Sequence, residues 1–529
     1  MTIHGDVKFT LDGKTKFKVG DETFQWNNRR IDLVNIWSDD NETYTNMVTL
    51  KGADWGISTL RFVGDAHMKT VIKDGDTQDG RHIEYILAGN AGSTVKLKST
   101  EVGLLAGSNA VDKVTTGSGR VDTIYLYDGN DVVKVGSGSV GSIYTSNGND
   151  KVTMGDGGVD QIVLGDGNNT FTGGGAWVGS LLSFKGNDTM KMAGTSADQI
   201  SMGDGKNTFV GGSEWVGALR GGNGIDTVTV KDGSVETINV GHGENTINIT
   251  GSGWVASVVA YDDKDVLNIT GTGQVGSINL GSGDNIIQTG SNWVGSIITY
   301  EDNDTVTIGA GGAELVTMGH GNNTLVATGW VGAVQAYSGN DTVTLGVGGA
   351  GHVALYGGDD TVHVSETTDD GTVMLDGGAG TDTVDFGSFG IAVQISLSDP
   401  IEYVAGPAIF VVTGFENLTT GSGADELIGN SVANILNGGQ GNDSLTGNGG
   451  ADTFVFASGD GDDTVEDFDA AENDVIDLSA VTQITDFSDL SANHMDQVGS
   501  DVVIDNEAGD TITLKDVAIA DLTAGRFLF

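Results

Sequence analysis

The amino-acid sequence predicts an all-β protein: a long right-handed parallel β-solenoid of about 19-residue coils, then a tighter parallel roll, then a small β-rich C-terminal region. Three observations predict it. Gly makes up 86 of 529 residues and Pro only 2, so the chain is rich in permissive turns without the composition of collagen or a Pro-rich linker. From Ile83 to about Gly390 the sequence falls into units of 19 residues, with occasional units of 18 or 20. Within a unit, apolar side chains recur at positions 1, 4, 6, 13 and 15, in runs bounded by Gly-rich turns, which reads as strand, turn, strand, turn. A coil this short cannot bury its own apolar face, and stacking the coils builds the continuous core it needs.

Taken in order, residues 1–82 are expected to form an N-terminal cap and irregular first coils. There KFTLDGKTKFKVGDETF from Lys8 reads as a hairpin covering the solenoid edge; alternatively Lys8, Lys14, Lys16 and Lys18 hold an anionic surface glycan. Residues 83–390 are the solenoid, with Val235, Ile238, Val240, Ile247 and Ile249 as one unit's inward set. A second period of about 38 residues overlies the first. Position 19 holds Trp177, Trp215, Trp254, Trp293 and Trp330 in every other unit. At position 11, Asp150, Asp188, Asp226, Asp265, Asp304 and Asp341 interleave with Asn169, Asn207, Asn245, Asn285 and Asn323. A 19-residue coil places these Asp and Asn residues in one column, whereas a 38-residue coil places them on different edges; the shorter coil is the usual size. The Trp row reads as indoles packed against small residues of neighbouring units, with an exposed row that stacks on sugars or a partner as the other reading. Thr at position 12, as in Thr170, Thr189 and Thr208, suits the first strand position after a turn.

The net charge is −48, which repels nucleic acid and anionic membranes. It is unevenly placed: the first 120 residues hold 15 Lys or Arg against 16 Asp or Glu, and the remainder hold 10 against 57. Between Asp265 and Leu514 there is no Lys or Arg. A body so acidic needs counter-ions to become compact, because neighbouring carboxylates raise the cost of ionising one another. Bound divalent metal meets that need. The absence of Cys excludes disulfides and thiolate metal sites. The first twenty residues have no apolar core of the kind a Sec signal needs, and no run of about 18 apolar residues occurs, so neither Sec export nor transmembrane insertion is expected.

Residues 391–420 read as connecting strands. From Gly421 the period becomes nine: GSGADELIG, NSVANILNG, GQGNDSLTG and NGGADTFVF, with Asp425, Asn434, Asp443 and Asp452 at intervals of nine. GGQGNDSLT from Gly438 and GGAGTDTVD from Gly377 both fit Gly-Gly-x-Gly-x-Asp-x-apolar-x. On these motifs the chain resembles the RTX family of calcium-binding proteins secreted by type I systems, specifically over about 371–529 and loosely over 83–370. The resemblance implies an RTX calcium-binding β-roll over 421–463. Its Ca²⁺ ligands would be the carboxylates of Asp382, Asp425, Asp443 and Asp452, with turn carbonyls such as those of Gly439 and Gly441; Asn434 departs from the pattern. In the 19-residue units it implies further candidates at Asp131, Asp150, Asp188, Asp304, Asp341 and Asp360, the alternative there being a solvated Asp edge that caps turns without metal. DTVEDFDAAENDVIDLSAV from Asp463 and the final ITLKDVAIADLTAGRFLF look like the family's C-terminal type I secretion region, here 464–529. The implied partners are calcium ions and the type I secretion machinery, and the implied location is extracellular or at the cell surface.

The eight His residues include no His-Glu-x-x-His pair, and no Gly-x-Ser-x-Gly elbow occurs. Units as uniform as those from Val102 to about His363 supply no irregular loops to build a cleft. The expected function is therefore a non-enzymic, calcium-dependent structural or adhesive protein of the bacterial cell surface or matrix, S-layer-like or part of a biofilm, acting through self-assembly or surface polysaccharide. A polysaccharide lyase or epimerase, or a glycan-binding protein, is the alternative.

Overall fold

The computed structural model describes residues 91–366, 371–398, 408–506 and 509–529 with side chains; elsewhere it describes strand segments, with side chains at Leu60, Arg61 and 82–87. The chain divides into two compact units, Met1–Gln274 and Val275–Phe529.

In the first unit the backbone winds as a parallel β-solenoid with two strands per coil. Val121–Tyr125 pairs in parallel with Val140–Tyr144, placing Val121 beside Val140. Val132–Lys134 pairs in parallel with Lys151–Thr153, placing Val133 beside Val152. The register step is 19 residues on both faces, so one unit of sequence is one coil and the Asp and Asn of position 11 share a column. The five apolar positions point inward as expected, and Val235, Ile238, Val240, Ile247 and Ile249 are all buried. Positions 2 and 3 both face outward, as in the burial of Val121–Tyr125, which breaks strict alternation. Thr170, Thr189 and Thr208 open the second strands of their coils, half-buried on the outer face.

Stacking is close enough that the turns require Gly. Gly148 has φ +149°, and a Cβ there would land on the carbonyl oxygen of Gly129 in the preceding coil. At the N-terminus, Lys8–Asp12 pairs antiparallel with Lys16–Val19, which pairs antiparallel with Glu22–Gln25. Lys8–Asp12 also runs parallel to Tyr44–Lys51, so the expected hairpin covers a sheet edge. Lys14 and the side chains of Lys8, Lys16 and Lys18, on which the glycan alternative rests, lie outside the described residues.

The Trp row is half exposed, with Trp177 at 42% and Trp215 at 40%. The indoles of Trp177 and Trp215 fold over the Gly two residues further on: a Cβ on Gly179 would sit 3.1 Å from Cη2 of Trp177, and one on Gly217 would sit 2.9 Å from Cη2 of Trp215. In the second unit Trp330 lies over Gly332 in the same way, and the rings of Trp293 and Trp330 stack with centroids 6.0 Å apart. The packing reading therefore describes part of each of the Trp177 and Trp215 indoles, which stay half exposed, and it describes Trp293, whose ring lies 3.4 Å from where a Cβ on Gly312 of the neighbouring coil would sit.

The second unit continues the 19-residue coils, as where Thr305–Ile308 pairs with Thr324–Ala327, and then changes. Thr372–Asp376 pairs with Ala408–Thr413. A separate sheet begins at Gln394–Ser396 and runs through Glu426–Ile428, Ser444–Thr446 and Asp462–Val465. Opposite it, Thr383–Asp385, Asn417–Thr419, Ile435–Asn437 and Thr453–Ala457 pair in order. Leu427 lies beside Leu445, 18 residues on, so two nonapeptides make one coil. Phe386, Phe389 and Phe410 fill the core at the change, their rings meeting edge to face. Near the C-terminus, Asp501–Asp505 pairs antiparallel with Met495–Val498 and with Thr511–Leu514, while the last strand, Phe527–Leu528, runs parallel to Val475–Ala480. Helix is confined to short segments, the α-helical one being Phe487–Asp489. Among the described residues no helix is long and apolar enough to cross a membrane.

Candidate metal centre

Within each unit the column at position 11 is a hydrogen-bond ladder made by side chains. Each column residue donates its backbone N–H to Oδ1 of the column residue one coil later. The donation runs from Asp112 to Asp131 (2.7 Å), Asp131 to Asp150 (2.7 Å), Asp150 to Asn169 (2.9 Å) and Asn169 to Asp188 (2.7 Å). In the second unit it runs from Asp304 to Asn323 (3.0 Å), Asn323 to Asp341 (2.8 Å), Asp341 to Asp360 (2.7 Å) and Asp360 to Asp382 (2.7 Å). The sequence places these side chains at the end of the turn, just before the second strand, where they point under the coil and are 0–1% exposed. An exposed ladder runs beside it one residue earlier: Asn149 N–H donates to Asn130 Oδ1, and Asn168 N–H to Asn149 Oδ1, each at 2.7 Å.

Beyond Asp382 the column passes to Glu416, whose Oε2 accepts the Asp382 N–H at 2.8 Å. It resumes at Asn434, which donates to Asp452 (2.8 Å), and Asp452 donates to Asp474 (2.9 Å). The nine-residue period splits over two edges. A second column holds Asp425, Asp443 and Asp463, joined at 2.7 and 2.9 Å. All twelve candidate residues are thus placed. Asp131, Asp150 and Asp188 stand in the first unit's column; Asp304, Asp341, Asp360, Asp382 and Asp452 stand in the corresponding column of the second unit. Asp425 and Asp443 stand in the second edge column, with Gly439 and Gly441 in the turn before Asp443, both at positive φ. A Cβ on Gly438 would meet Oδ2 of Asp443, so this turn wraps closely around the carboxylate. The structure adds Asp112, Glu416, Asp463 and Asp474. Asp112 was legible as one period before Asp131, whereas the other three follow insertions that break the count.

Several of these Asp residues keep one carboxylate oxygen in reserve, whereas Oδ2 of Asp112 accepts the Ser108 N–H at 2.8 Å and Oδ2 of Asp474 accepts the Asp469 N–H at 2.7 Å. Oδ2 of Asp131, Asp226, Asp341, Asp360, Asp382 and Asp443 is buried with no hydrogen-bond donor. Burial raises the carboxyl of Asp131 to about 8, with Asp112 and Asp150 adding repulsion against the lowering effect of the Asp112 N–H. Burial likewise takes Asp226, Asp443 and Asp463 to about 7 and Asp341, Asp360, Asp382 and Asp452 to about 6. An unpartnered anionic oxygen in a dry turn requires a cation or a proton. Calcium takes hard oxygen ligands from carboxylates and backbone carbonyls, and this donor set fits it. Among the described residues no three His, Asp or Glu side chains gather as a cluster, so a cation here would be held by few carboxylates and by turn carbonyls.

These raised values fix the pH response of the metal-free protein. A carboxyl whose folded pKa lies above its unfolded value, near 4, stabilises the fold fully below that value and loses the contribution as pH rises through the folded pKa. In EGTA the thermal midpoint should therefore fall steadily as pH rises from about 4.5, until little folded protein remains near neutral pH. A midpoint that is flat or rising over that range would contradict the buried, unpaired state of these carboxyls.

A family model, the RTX calcium-binding nonapeptide repeat, matches the chain in four copies at residues 107–139, 154–177, 419–454 and 428–465. Two copies lie in the 19-residue coils, where Asp112 and Asp131 fall inside the first; Asp425 falls inside the third, and Asp443 and Asp452 fall inside both the third and the fourth. No curated protein matches the chain. Among solved structures, the crystal structure of extracellular lipase LipA from Serratia marcescens is similar at 16% identity over 45% of this chain and 40% of that chain, with a TM-score of 0.18. A score so low supports no argument about fold or activity. Four repeat matches on a parallel β-solenoid with buried turn carboxylates show that the chain carries the RTX calcium-binding nonapeptide repeat, in both of its units.

Proposed function

We propose that this chain is a secreted, non-enzymic protein of the bacterial cell surface or extracellular matrix, folded by calcium and acting as a structural or adhesive component. The observation that carries the reading is the ladder of buried carboxylates, in which Asp131, Asp226, Asp341, Asp360, Asp382 and Asp443 each keep an unpartnered oxygen. Low cytosolic calcium would leave so acidic a chain unfolded and exportable through its C-terminal region by a type I system. Millimolar external calcium would fold it. A fold built from uniform coils suits repetition and contact along its faces better than a cleft for chemistry.

A second reading has its own support. Trp177, Trp215, Trp254 and Trp330 keep one face of the indole at the surface, each 37–47% exposed, and such aromatic rows stack on sugar rings. One experiment separates the two. The purified chain in millimolar calcium should form filaments or sheets in negative-stain micrographs if it is a matrix or lattice component. It should stay dispersed and be retained on immobilised surface polysaccharide if it is a glycan-binding adhesin. A chain that neither assembles nor is retained, and that shortens or epimerises polysaccharide, would reject both in favour of an enzyme.

A further inference from the structure

The Asp and Asn coils differ in more than charge. Asn uses Oδ1 as Asp does, accepting the preceding coil's N–H, but its Nδ2 donates into its own turn. Asn169 donates to the carbonyls of Gly165 (3.2 Å) and Gly167 (3.1 Å), Asn207 to Gly203 (2.8 Å), and Asn323 to Gly319 (3.4 Å) and Gly321 (3.0 Å). These are the carbonyls four and two residues before the column. The amide thus supplies positive character to the inner face of the turn, where in an Asp coil Oδ2 supplies another acceptor. Asp226 and Asp341 have no donor at all on that oxygen.

The residue five before the column changes in step. In the Asn coils it is large and buried: Leu164, Met202, Val240, Leu280 and Met318. In the Asp coils from Asp150 to Asp341 it is small or carries a hydroxyl: Thr145, Ser183, Gly221, Ala260, Thr299 and Ala336. This position adjoins the reserve oxygen, since a Cβ on Gly221 would meet Oδ2 of Asp226. The hydroxyls of Thr145, Ser183 and Thr299 lower the carboxyls of Asp150, Asp188 and Asp304 against the larger effect of burial. Outside residues 145–341, Asp131 and Asp360 have the buried Leu126 and Leu355 at this position, whereas within that range two adjoining columns alternate together. One adds an amide donor and fills the space beside it; the other leaves an unpaired carboxylate oxygen and keeps that space open.

We propose that between residues 145 and 341 cations bind only in the Asp coils, and that the Asn coils are metal-free by construction, with the Asn amide occupying on the turn carbonyls the role a cation takes in its neighbours. The inference rests on the calcium reading above and deepens it, because it specifies which coils bind. Loading is then limited to every second coil, and a coil whose column residue is always uncharged separates successive bound charges by about 10 Å at the usual interstrand spacing.

The test is equilibrium dialysis of the full chain against calcium alone, with bound metal counted per chain. Asp226→Asn should remove one calcium ion per chain, and in EGTA near neutral pH it should leave more β-sheet circular dichroism than the unsubstituted chain retains, because the turn now carries its own donor. Asp341→Asn repeats the measurement in the second unit. Asn207→Asp should add no ion while Met202 fills the adjoining space, whereas Asn207→Asp with Met202→Ala should add one. A calcium count unchanged by both Asp→Asn substitutions, in a chain that does bind calcium, would overturn this inference and leave the proposed function standing. Asn207→Asp gaining an ion with Met202 in place would overturn it too. An unsubstituted chain that holds no calcium would overturn both.

Discussion

Removing calcium from the full-length protein with EGTA should abolish most of its β-sheet circular dichroism near neutral pH, and restoring millimolar calcium should recover it. A single site at a hundredfold excess of free ion over its dissociation constant stabilises the fold by about 2.7 kcal/mol. Three such sites would match the whole stability of an ordinary domain, roughly 5–15 kcal/mol. Here the need is greater than usual, because the residues after 120 carry 57 acidic side chains against 10 basic ones. In addition, the buried reserve oxygens have no donor inside the protein. A spectrum and thermal midpoint indifferent to EGTA would reject calcium as the folding partner.

Gly148→Ala should be among the most damaging substitutions that change only one methyl group. The backbone at Gly148 has φ +149°, a region essentially reserved to Gly, and the new Cβ would collide with the carbonyl oxygen of Gly129. Conformational strain of that kind costs on the order of 1–3 kcal/mol, and displacing the stacked turn adds the loss of the Gly129 N–H bond to Asn147 O. The expected total is a loss of roughly 3 kcal/mol or more, read as a lowered urea midpoint in calcium. Gly175→Ala is the matched control: its Cβ would meet only Asp156 Oδ1, at 3.5 Å, and the midpoint should move by less than about 0.5 kcal/mol. Equal shifts for the two would show that stacking distance does not dictate the Gly positions.

The solenoid was legible because its causes are periodic. Val235, Ile238, Val240, Ile247 and Ile249 announce an inward face through spacing alone, and the parallel register of 19 follows from stacking like on like. The position-11 column was legible for the same reason. What escaped was whatever depends on partners far apart in sequence without a constant interval. The column of Asp425 and the column of Asn434 could not be told apart from spacing, since a period of nine does not say whether successive turns share an edge; the pairing of Leu427 with Leu445 decides it. Glu416 entered the column because the segment after Thr383–Asp385 returns 34 residues later to pair in register with Asn417–Thr419. Asp463 and Asp474 stand 20 and 22 residues after the column residues that donate to them, so counting in eighteens misses both. The Trp orientation was half legible: Gly312 of the neighbouring unit lies against Trp293 as expected, but for Trp177, Trp215 and Trp330 the small neighbour is the Gly two residues ahead.

The ladder has a bearing on how such a chain can change length. Because a backbone N–H is received equally by Oδ1 of Asp or of Asn, every 19-residue coil presents the same socket below and the same plug above. Within either unit, one Asp coil and one Asn coil can be deleted or duplicated together and the ladder closes across the junction without new chemistry. Length is therefore adjustable in discrete steps of about 10 Å. In the nonapeptide region a nine-residue step would exchange the two edges, so only eighteen-residue steps conserve them. The same feature that fixes each turn makes the number of turns free to vary.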